Sequence, residues 1–464
     1  MQTDSSKSLY RPPAPVPASK LSILWRIFTS RKNDILHYIP ENAFNIFMGK
    51  APGTNKRSIY LVNDPKMIRH IMIDRVDDYP KSDLVTDSLM PLLGDSIFTV
   101  SGDKWKRQSR MIEQVFAKLR LKQVFATMQA SISDYVELLD KKVGGIVNLD
   151  EEMAYVTADV IFRTMFSKPI ADKDADTIFR EFTIYQESLP HMTGKVVFRA
   201  AAHSKTKIPK HGMKACAIIR DIIASIVDER LSGDVHEDDI CQIIVECRDP
   251  ETGEGFTREE IINQIAFFFL AGHETSASAL TWGFLCLSQS PHDWEELRNE
   301  AVEHAGDGDI PYEAISRMKF TSATFKEALR LYPPVAFITR HALKDDQLRR
   351  FKIKPDDLMI IAAWVVQRHR KYWENPDHFD PSRFMKSRSG GAPTGTWIPF
   401  SVGQRVCTGA AFANAEASLI LATLARRYKF TTIAPNDIMP VSRLTLRPRD
   451  RLPMKVELRD DVKA

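Results

Sequence analysis

The chain has 464 residues, of which 44% are hydrophobic and 27% are charged, and its formal net charge is +4 at pH 7. These values are ordinary for a soluble globular protein and too mildly basic to indicate a nucleic-acid partner. The five cysteines include no CxxC pair, which argues against a disulfide framework or a zinc ribbon and fits a reducing cytoplasm.

The first 30 residues predict an N-terminal arm. Residues 11–17 are rich in proline, which favours an extended conformation. The apolar stretch at residues 21–28 contains an arginine and is well short of the ~20 residues that a membrane-spanning helix requires, and no signal-peptide pattern precedes it. We therefore expect an extended arm over residues 1–30, a single domain over residues 31–464, and no membrane span.

Helical periodicity dominates the rest of the chain, because apolar residues recur at three- and four-residue spacing in several long segments. No repeat or linker divides these segments, so the pattern predicts one large protein domain that is mainly helical. The predicted helices cover residues 104–124, 128–143, 151–166 and 213–231, and the predicted strands cover residues 58–62, 358–364 and 445–457.

One predicted helix, over residues 257–287, is unusual. Thr257 suits its N-cap, and Glu259 and Glu260 complement the helix dipole in its first turn. The helix is roughly 45 Å long and apolar nearly all round, so we expect it at the centre of the domain. The polar residues 272–275 lie in its middle, where burial costs free energy unless they have partners or a function.

Two more helices follow. Ser290 and Pro291 form a helix start, and Gly306 marks its end. The next helix ends before Pro333, and within it Glu327 and Arg330 are three residues apart and so share one face.

Near the end of the chain, Cys407 stands alone in the segment PFSVGQRVCTG. A thiolate needs an electropositive or metal-bound setting to persist at neutral pH. Arg405 supplies positive charge, Gly403 and Gly409 allow tight turns and the close approach of a flat ligand, and the helix that follows directs its free amides toward the sulfur. Such a thiolate is suited to be the axial ligand of a haem iron.

Taken together, these segments resemble, in order and spacing, the signatures of the cytochrome P-450 superfamily, in particular its soluble bacterial haem-thiolate monooxygenases. The resemblance spans nearly the whole chain and implies a fold that is mainly α with a small β-rich lobe: a triangular prism of helices, with haem between the long central helix and the helix after the cysteine loop. The matching motifs are Phe400-x-x-Gly403-x-Arg405-x-Cys407-x-Gly409, the run 271–275 (AGHET), Glu327-x-x-Arg330, and the run 381–384 (PSRF), which contains Arg383.

By this resemblance, Cys407 ligates the iron of haem b, Thr275 and Glu274 relay protons, and a buried network of charges supports the cysteine loop. Thr275 has a second option, a bond to the carbonyl of Ala271 that loosens one helical turn. The variable motif position, His273, is expected to be packed or solvated rather than a haem ligand. The resemblance assigns haem contacts to Phe400, Gly403, Arg405, Gly409, Trp105, Arg340 and Ala271, and the charge network to Glu327, Arg330 and Arg383.

The chain departs from the family pattern at one cofactor contact. A basic residue often stands four positions after the tryptophan, but Ser109 occupies that place here, with Arg110 next. Either one contact to a haem propionate is lost, or Arg110 compensates for it.

The same resemblance implies a hydrophobic small-molecule substrate, dioxygen, and electrons from NAD(P)H. No fused reductase is recognisable, so we expect a monomer served by an external ferredoxin or flavodoxin and its reductase, which would dock on the basic run at residues 104–122. Mostly apolar segments are expected to line the substrate pocket: residues 84–98, 189–198 and 335–338, with Phe267, Ala271 and Leu444.

Two alternatives keep the haem. One is a haem-thiolate isomerase or dehydratase that acts on a peroxide; its relatives usually lack the acid–threonine pair that Glu274 and Thr275 form. The other is a non-catalytic haem sensor, against which the proton relay and the enclosed apolar pocket argue.

Overall fold

A computed structural model of the chain describes residues 9–19, 34–51, 57–189, 208–306, 308–385 and 392–459. Helices account for most of this part of the chain, as the periodicity predicts. They are α1 Pro65–Arg69, α2 Asp83–Leu93, α3 Gly102–Lys118, α4 Leu121–Asp140, α5 Leu149–Phe166, α6 Lys173–Ser188, α7 Lys210–Ser232, α8 Ile240–Glu246, α9 Arg258–Ser288, α10 Pro291–Ala305, α11 Tyr312–Ile315, α12 Lys319–Leu331, α13 Ala363–Val366 and α14 Ala410–Arg427.

The strands form small sheets beside the helices. They are β1 Met48–Ala51, β2 Ile59–Val62, β3 Ile146–Asn148, β4 Ile338–His341, β5 Asp346–Leu348, β6 Phe351–Ile353, β7 Leu358–Ile361, β8 Tyr428–Thr432, β9 Pro440–Ser442, β10 Leu446–Pro448 and β11 Pro453–Leu458. A four-stranded sheet has the order β1-β2-β7-β4, with β2 and β7 parallel, and a three-stranded sheet has the order β3-β11-β8. Two hairpins pair β5 with β6 and β9 with β10.

Helix α9 lies at the centre of the fold, where it packs against α5, α7, α12 and α14. Its start follows from the sequence: the Thr257 side chain accepts from the Glu260 amide and the Glu260 carboxylate accepts from the Thr257 amide, which is a complete capping box. The side chains of α9 are buried on nearly every face. The predicted position of this helix is therefore confirmed.

Several predicted boundaries are wrong. Residues 104–143 do not divide at 124 and 128 but at Leu119 and Arg120, whose extended backbone separates α3 from α4. The predicted strand at 358–364 ends at Ile361, and Ala363 begins a short helix. The predicted strand at 445–457 is two strands, β10 and β11, joined by a turn in which Arg451 has φ 72°.

The arm is described over residues 9–19, where it is free of helix and lies on the body of the protein. Its contacts include the amide of Phe379, which donates to the Tyr10 carbonyl (2.9 Å), and the Tyr332 hydroxyl, which donates to the Pro13 carbonyl (2.6 Å). Residues 1–8 and 20–33 lie outside the described part, so the predicted extent of the arm and the domain boundary after residue 30 stay predictions. Across the described residues, the structure contains no helix that combines the length and hydropathy needed to cross a bilayer.

Candidate active site

The cysteine loop is held in shape by its own backbone. The amide of Cys407 donates to the carbonyl of Phe400 at 2.9 Å, closing the loop, and residues Gly403–Arg405 form a single 3-10 turn inside it. Helix α14 begins three residues after the cysteine, and Gly409 occupies its N-cap position. The first turn of a helix thus lies next to the sulfur, as the sequence predicts.

Glycine is required at the two positions of the loop for different structural reasons. Gly403 has φ +76°, and a Cβ there would lie 2.4 Å from the carbonyl oxygen of Met72, so the residue allows the loop to pack on the segment Met72 belongs to. A Cβ on Gly409 would lie 3.9 Å from the Cys407 sulfur. Gly409 therefore leaves space for a flat ligand beside the sulfur, whereas Gly403 allows the loop to pack against another segment of the protein.

Arg405 does not act as the counter-charge of Cys407. Its guanidinium lies over the Trp105 ring, 4.3 Å from the centroid, and donates to the Val100 carbonyl at 3.2 Å. Cys407 itself is exposed, and desolvation by the surrounding protein raises its pKa, while the backbone of Gly409 opposes that effect. The expectation that Arg405 favours the thiolate is wrong; ligation of a metal cation is what would deprotonate this sulfur.

Three cations meet beside the loop, of which Arg340 is buried and Lys81 and Arg405 are partly buried. Lys81 bridges to Arg340 through its backbone, and its ammonium donates to the Phe98 carbonyl at 2.6 Å. Arg340 has a buried Nε without a hydrogen-bond partner. Burial and mutual repulsion lower the pKa of Lys81 well below its ordinary value and that of Arg340 to about 9, and burial lowers the pKa of Arg405 to about 10.

No described carboxylate forms an ion pair with any of these three cations, and cations that are desolvated by the protein without an anion are costly. The two propionates of a haem would supply the missing anions, and the orphaned Nε of Arg340 is a ready donor. Haem fits this position for three reasons. The cations have no described carboxylate partner, Gly409 has no side chain beside the sulfur, and Cys407 is exposed. We will call Lys81, Arg340 and Arg405 the cation cluster.

The cation cluster bears on the basic residue that the family pattern places at position 109, where this chain has Ser109. Arg110 does not compensate, because it forms a bidentate pair with Asp249 (3.0 and 2.8 Å) and also contacts Glu251. Ser109 faces Glu113. Lys81, which sequence reasoning missed, is a further cation in this cluster, and only its backbone bridge to Arg340, 259 positions away, reveals it.

One face of α9 is less completely buried than the others. Phe267, Ala271 and Thr275 recur every four residues there and are partly buried, in contrast to the buried residues on the other faces of the helix. The Thr275 hydroxyl donates to the Ala271 carbonyl at 2.8 Å, the second of the two options for this residue. Phe267 stacks on Phe98, with ring centroids 5.6 Å apart, and forms an apolar wall. We call the space along this face the Thr275 groove.

Glu274 points away from the Thr275 groove. Its carboxylate accepts both a pair of bonds from Arg447 and single bonds from Thr445 (2.5 Å) and Gln186. His273 is also turned away: its ring lies among phenylalanines, Nδ1 bonds to the Phe269 carbonyl at 2.7 Å, and burial lowers its pKa to about 4. Its predicted packed position fits this geometry. Both residues line a cavity of about 730 Å³ that the C-terminal arginines enclose.

The predicted charge network is present. Glu327 accepts two bonds from Arg330 (2.7 and 2.8 Å) and one from Arg383 (3.2 Å), and its exposed fraction is 0%. Both arginines also donate hydrogen bonds to backbone carbonyls of residues 374–378. The Arg330 guanidinium donates in addition to the carbonyl of Gln367. The Gln367 side chain in turn accepts from the amide of Ile398, just before the cysteine loop.

The basic run on α3 and α4 is largely neutralised. Lys104 pairs with Asp95, Lys106 with Asp77, Arg107 with Glu260, Arg110 with Asp249 and Lys122 with Glu313. Within the described residues, Lys118 and Arg120 form no ion pair. The free positive charge available to a partner is therefore smaller than the sequence suggests.

Of the expected pocket segments, residues 84–93 lie in α2, and Val335 is 43% exposed. Leu444 packs against the cluster of apolar side chains that includes α2 and α9. Residues 190–198 lie outside the described part of the chain.

Comparison with known proteins agrees with this geometry. The family model for cytochrome P-450 matches residues 15–455. The chain is 28% identical over 399 residues to cyclooctatin synthase of Streptomyces melanosporofaciens, covering 84% of each chain, and 25% identical over 410 residues to pentalenene oxygenase of Streptomyces avermitilis, covering 87% of this chain and 88% of that one. The haem domain of cytochrome P-450DA superposes with a TM-score of 0.79 at 20% identity, covering 98% of this chain and 99% of the other.

The mainly helical fold, the loop that carries Cys407 and the family match together define a haem-thiolate protein. The chain belongs to the cytochrome P-450 family. As a member it is a haem-dependent monooxygenase, an oxidoreductase that acts on hydrophobic small molecules, and the predicted fold and activity class are confirmed.

Proposed function

We propose that Cys407 holds haem b in the space under α9, that the cation cluster binds its propionates, and that electrons from NAD(P)H reach it through an external ferredoxin or flavodoxin in the cytoplasm. The observation that carries this proposal is the unpaired cation cluster next to the cysteine. When bound, haem supplies the activation of dioxygen that allows one oxygen atom to enter a carbon–hydrogen bond.

The chain's own residues position the reactants and exclude water. Phe98 and Phe267 present an apolar wall that would hold a hydrophobic substrate along the groove. Thr275 bonds to Ala271 and thereby keeps its hydroxyl at the groove, where it would order water for proton transfer. Phe400, whose ring packs edge-on against Trp397 at 6.0 Å, supports the loop that carries the sulfur.

The decisive experiment is turnover with a reductase–ferredoxin pair under dioxygen, together with the carbon monoxide spectrum of the reduced protein. We expect a red-shifted Soret band, and product that depends on both oxygen and reductant. Product formed from a peroxide without reductant would instead support the isomerase or dehydratase, and a thiolate spectrum without any product would support the sensor. The presence of the Glu274–Thr275 pair favours the monooxygenase.

Replacing Lys81 with methionine is expected to weaken haem binding. The substitution removes one charge-assisted hydrogen bond to a propionate, so we expect affinity to fall by about 10- to 100-fold. Competition for haem with apomyoglobin measures the change. The control is Lys104→Met, because Lys104 pairs with Asp95 on the surface and should leave affinity unchanged. Equal affinities for the two variants would contradict the role of Lys81.

Reduction by an acidic ferredoxin or flavodoxin is expected to slow as the salt concentration rises. Helix α3 begins beside the cysteine loop, since its Trp105 stacks on Arg405, so the basic run borders the haem side that faces a partner. Lys118 and Arg120, which form no ion pair with any residue that the structure describes, should carry most of the attraction.

Stopped-flow reduction at several ionic strengths tests this prediction. We expect the double variant Lys118→Gln, Arg120→Gln to lower the rate at low salt several-fold. The control variant Lys122→Gln, whose lysine is paired with Glu313, should lower it less. A rate that is indifferent to ionic strength would exclude this docking surface.

A further inference from the structure

The segment between α2 and α3 carries one side of the apolar wall. Residues 94–100 contain no helix or strand, and within them the partly buried ring of Phe98 stacks on Phe267 of α9. We call residues 94–100 the Phe98 loop. Because the loop belongs to no regular element, its position depends on the contacts that hold it from outside, and these differ between its two halves.

The first half of the Phe98 loop is held by neutral amide groups of α3 and α9. The Gln108 side chain donates to the Asp95 carbonyl at 3.0 Å, and the amide of Ile97 donates to the Gln264 side chain at 3.1 Å. Gln264 also donates to Gln108 at 3.0 Å, and the exposed fraction of both glutamines is 0%. This half of the loop is therefore fixed by the protein alone.

The second half is held by two members of the cation cluster. The Lys81 ammonium donates to the Phe98 carbonyl at 2.6 Å and also lies over the Phe98 ring, 3.6 Å from its centroid. Arg405 donates to the Val100 carbonyl at 3.2 Å. Among the described residues, no other group outside the loop forms a hydrogen bond with residues 98–100. The wall therefore depends on the cations that lie beside the cysteine loop.

Lys81 is itself fixed at its base. Its backbone bridges to Arg340 on β4, and the hydroxyl of the next residue, Ser82, donates to the Thr339 hydroxyl at 2.6 Å. An ammonium has three donors and is attracted to the face of an aromatic ring, so one group can hold both the carbonyl and the ring of Phe98. The lysine thus connects the four-stranded sheet to the wall of the Thr275 groove.

We propose that Lys81 is a positioning residue that fixes the Phe98 wall and thereby selects flat apolar groups for the Thr275 groove. A wall that is already in place favours a flat ring that packs against it, because little ordering is left to be done when the ligand binds. This inference rests on the proposed haem-dependent function, in which the same ammonium contacts a propionate. It adds a second task to that residue, directed at the substrate.

Two iron-ligating probes test the wall in the haem-loaded protein without turnover. Imidazole and 4-phenylimidazole bind through the same ring nitrogen and shift the Soret band, so the ratio of their dissociation constants isolates the contribution of the phenyl group. We expect Lys81→Met to lower that contribution by about 3- to 10-fold. Lys81→Arg, which keeps a cation that can donate to the Phe98 carbonyl, should recover part of it.

The ratio separates this role from haem binding. A lost propionate contact affects both probes alike, and only the haem-loaded fraction gives a Soret shift. The control is Lys106→Met, because Lys106 pairs with Asp77 at the surface and should leave the phenyl contribution unchanged.

A double-mutant cycle shows whether Lys81 acts through Phe98. Phe98→Leu removes the ring and should lower the phenyl contribution by itself, so adding Lys81→Met should lower it little further. Hydrogen exchange gives a readout without any probe: amides of residues 94–100 in the haem-loaded protein should exchange several-fold faster in Lys81→Met and at the wild-type rate in Lys106→Met.

An unchanged phenyl contribution in Lys81→Met, or losses that add in the double variant, would overturn the inference alone. A wild-type protein with neither a Soret shift in imidazole nor a thiolate-type carbon monoxide spectrum would overturn the proposed function instead.

Discussion

Replacing Cys407 with alanine is expected to abolish the thiolate-type Soret band of the reduced, carbon monoxide-bound protein, together with all turnover. The other cysteines (Cys216, Cys241, Cys247 and Cys286) are buried, so among the five only Cys407 is exposed to a ligand. The cation cluster should still bind the propionates, so some haem is expected to remain associated without its sulfur ligand. The measurement is the reduced difference spectrum with carbon monoxide.

The matched control is Cys216→Ala, which removes a buried thiol between α7 and its neighbours and should leave the band in place. An unchanged Soret band in Cys407→Ala would refute the ligand assignment. Loss of the band in Cys216→Ala with retained folding would show that the spectrum reports something other than Cys407.

Replacing Glu327 with alanine is expected to lower the free energy of unfolding by about 3–5 kcal/mol. The change leaves Arg330 and Arg383 without their carboxylate, and Arg330 is fully buried, with an exposed fraction of 0%. Because these arginines also hold the carbonyls of residues 374–378, the segment leading to the cysteine loop should loosen as well. Denaturant unfolding and the fraction of haem retained measure the two effects.

Glu313→Ala is the comparison. Its carboxylate pairs with Lys122 at 2.7 Å, but the two side chains are 60% and 71% exposed, so its loss should change stability by less than about 1 kcal/mol. Similar losses for Glu313→Ala and Glu327→Ala would mean that the buried network contributes no more than a surface pair. The haem-free protein should show the same order of stability, since the network contacts only protein.

What the sequence predicted well depends on nearby residues. The Thr257 cap of α9, the Thr275 bond to Ala271 (one of two options for this residue) and the Glu327–Arg330 pair all join positions at most four apart, so local spacing is enough to suggest them. The glycines around Cys407 were also identified, although the reason for Gly403 lies in Met72, more than 300 positions earlier, and could not be read locally.

Most of the features that could not be predicted from the sequence involve contacts between residues far apart in the chain. The basic run looked free because its acids, such as Asp95, Asp249 and Glu313, come from elsewhere in the chain. Lys81 carries no motif and becomes significant only beside Arg340. The break between α3 and α4 has no glycine or proline to mark it, so periodicity ran through it.

The docked N-terminal arm constrains the order of events during synthesis and folding of the chain. The segment around Tyr10 and Pro13 is synthesised well before Tyr332, which lies 319 positions after Pro13 and donates to its carbonyl. At about 5–20 residues per second, the arm must wait roughly 15–60 s for that partner to be synthesised. This early segment can therefore dock only late, once Tyr332 and Phe379, the residues that bond to its backbone, have been synthesised.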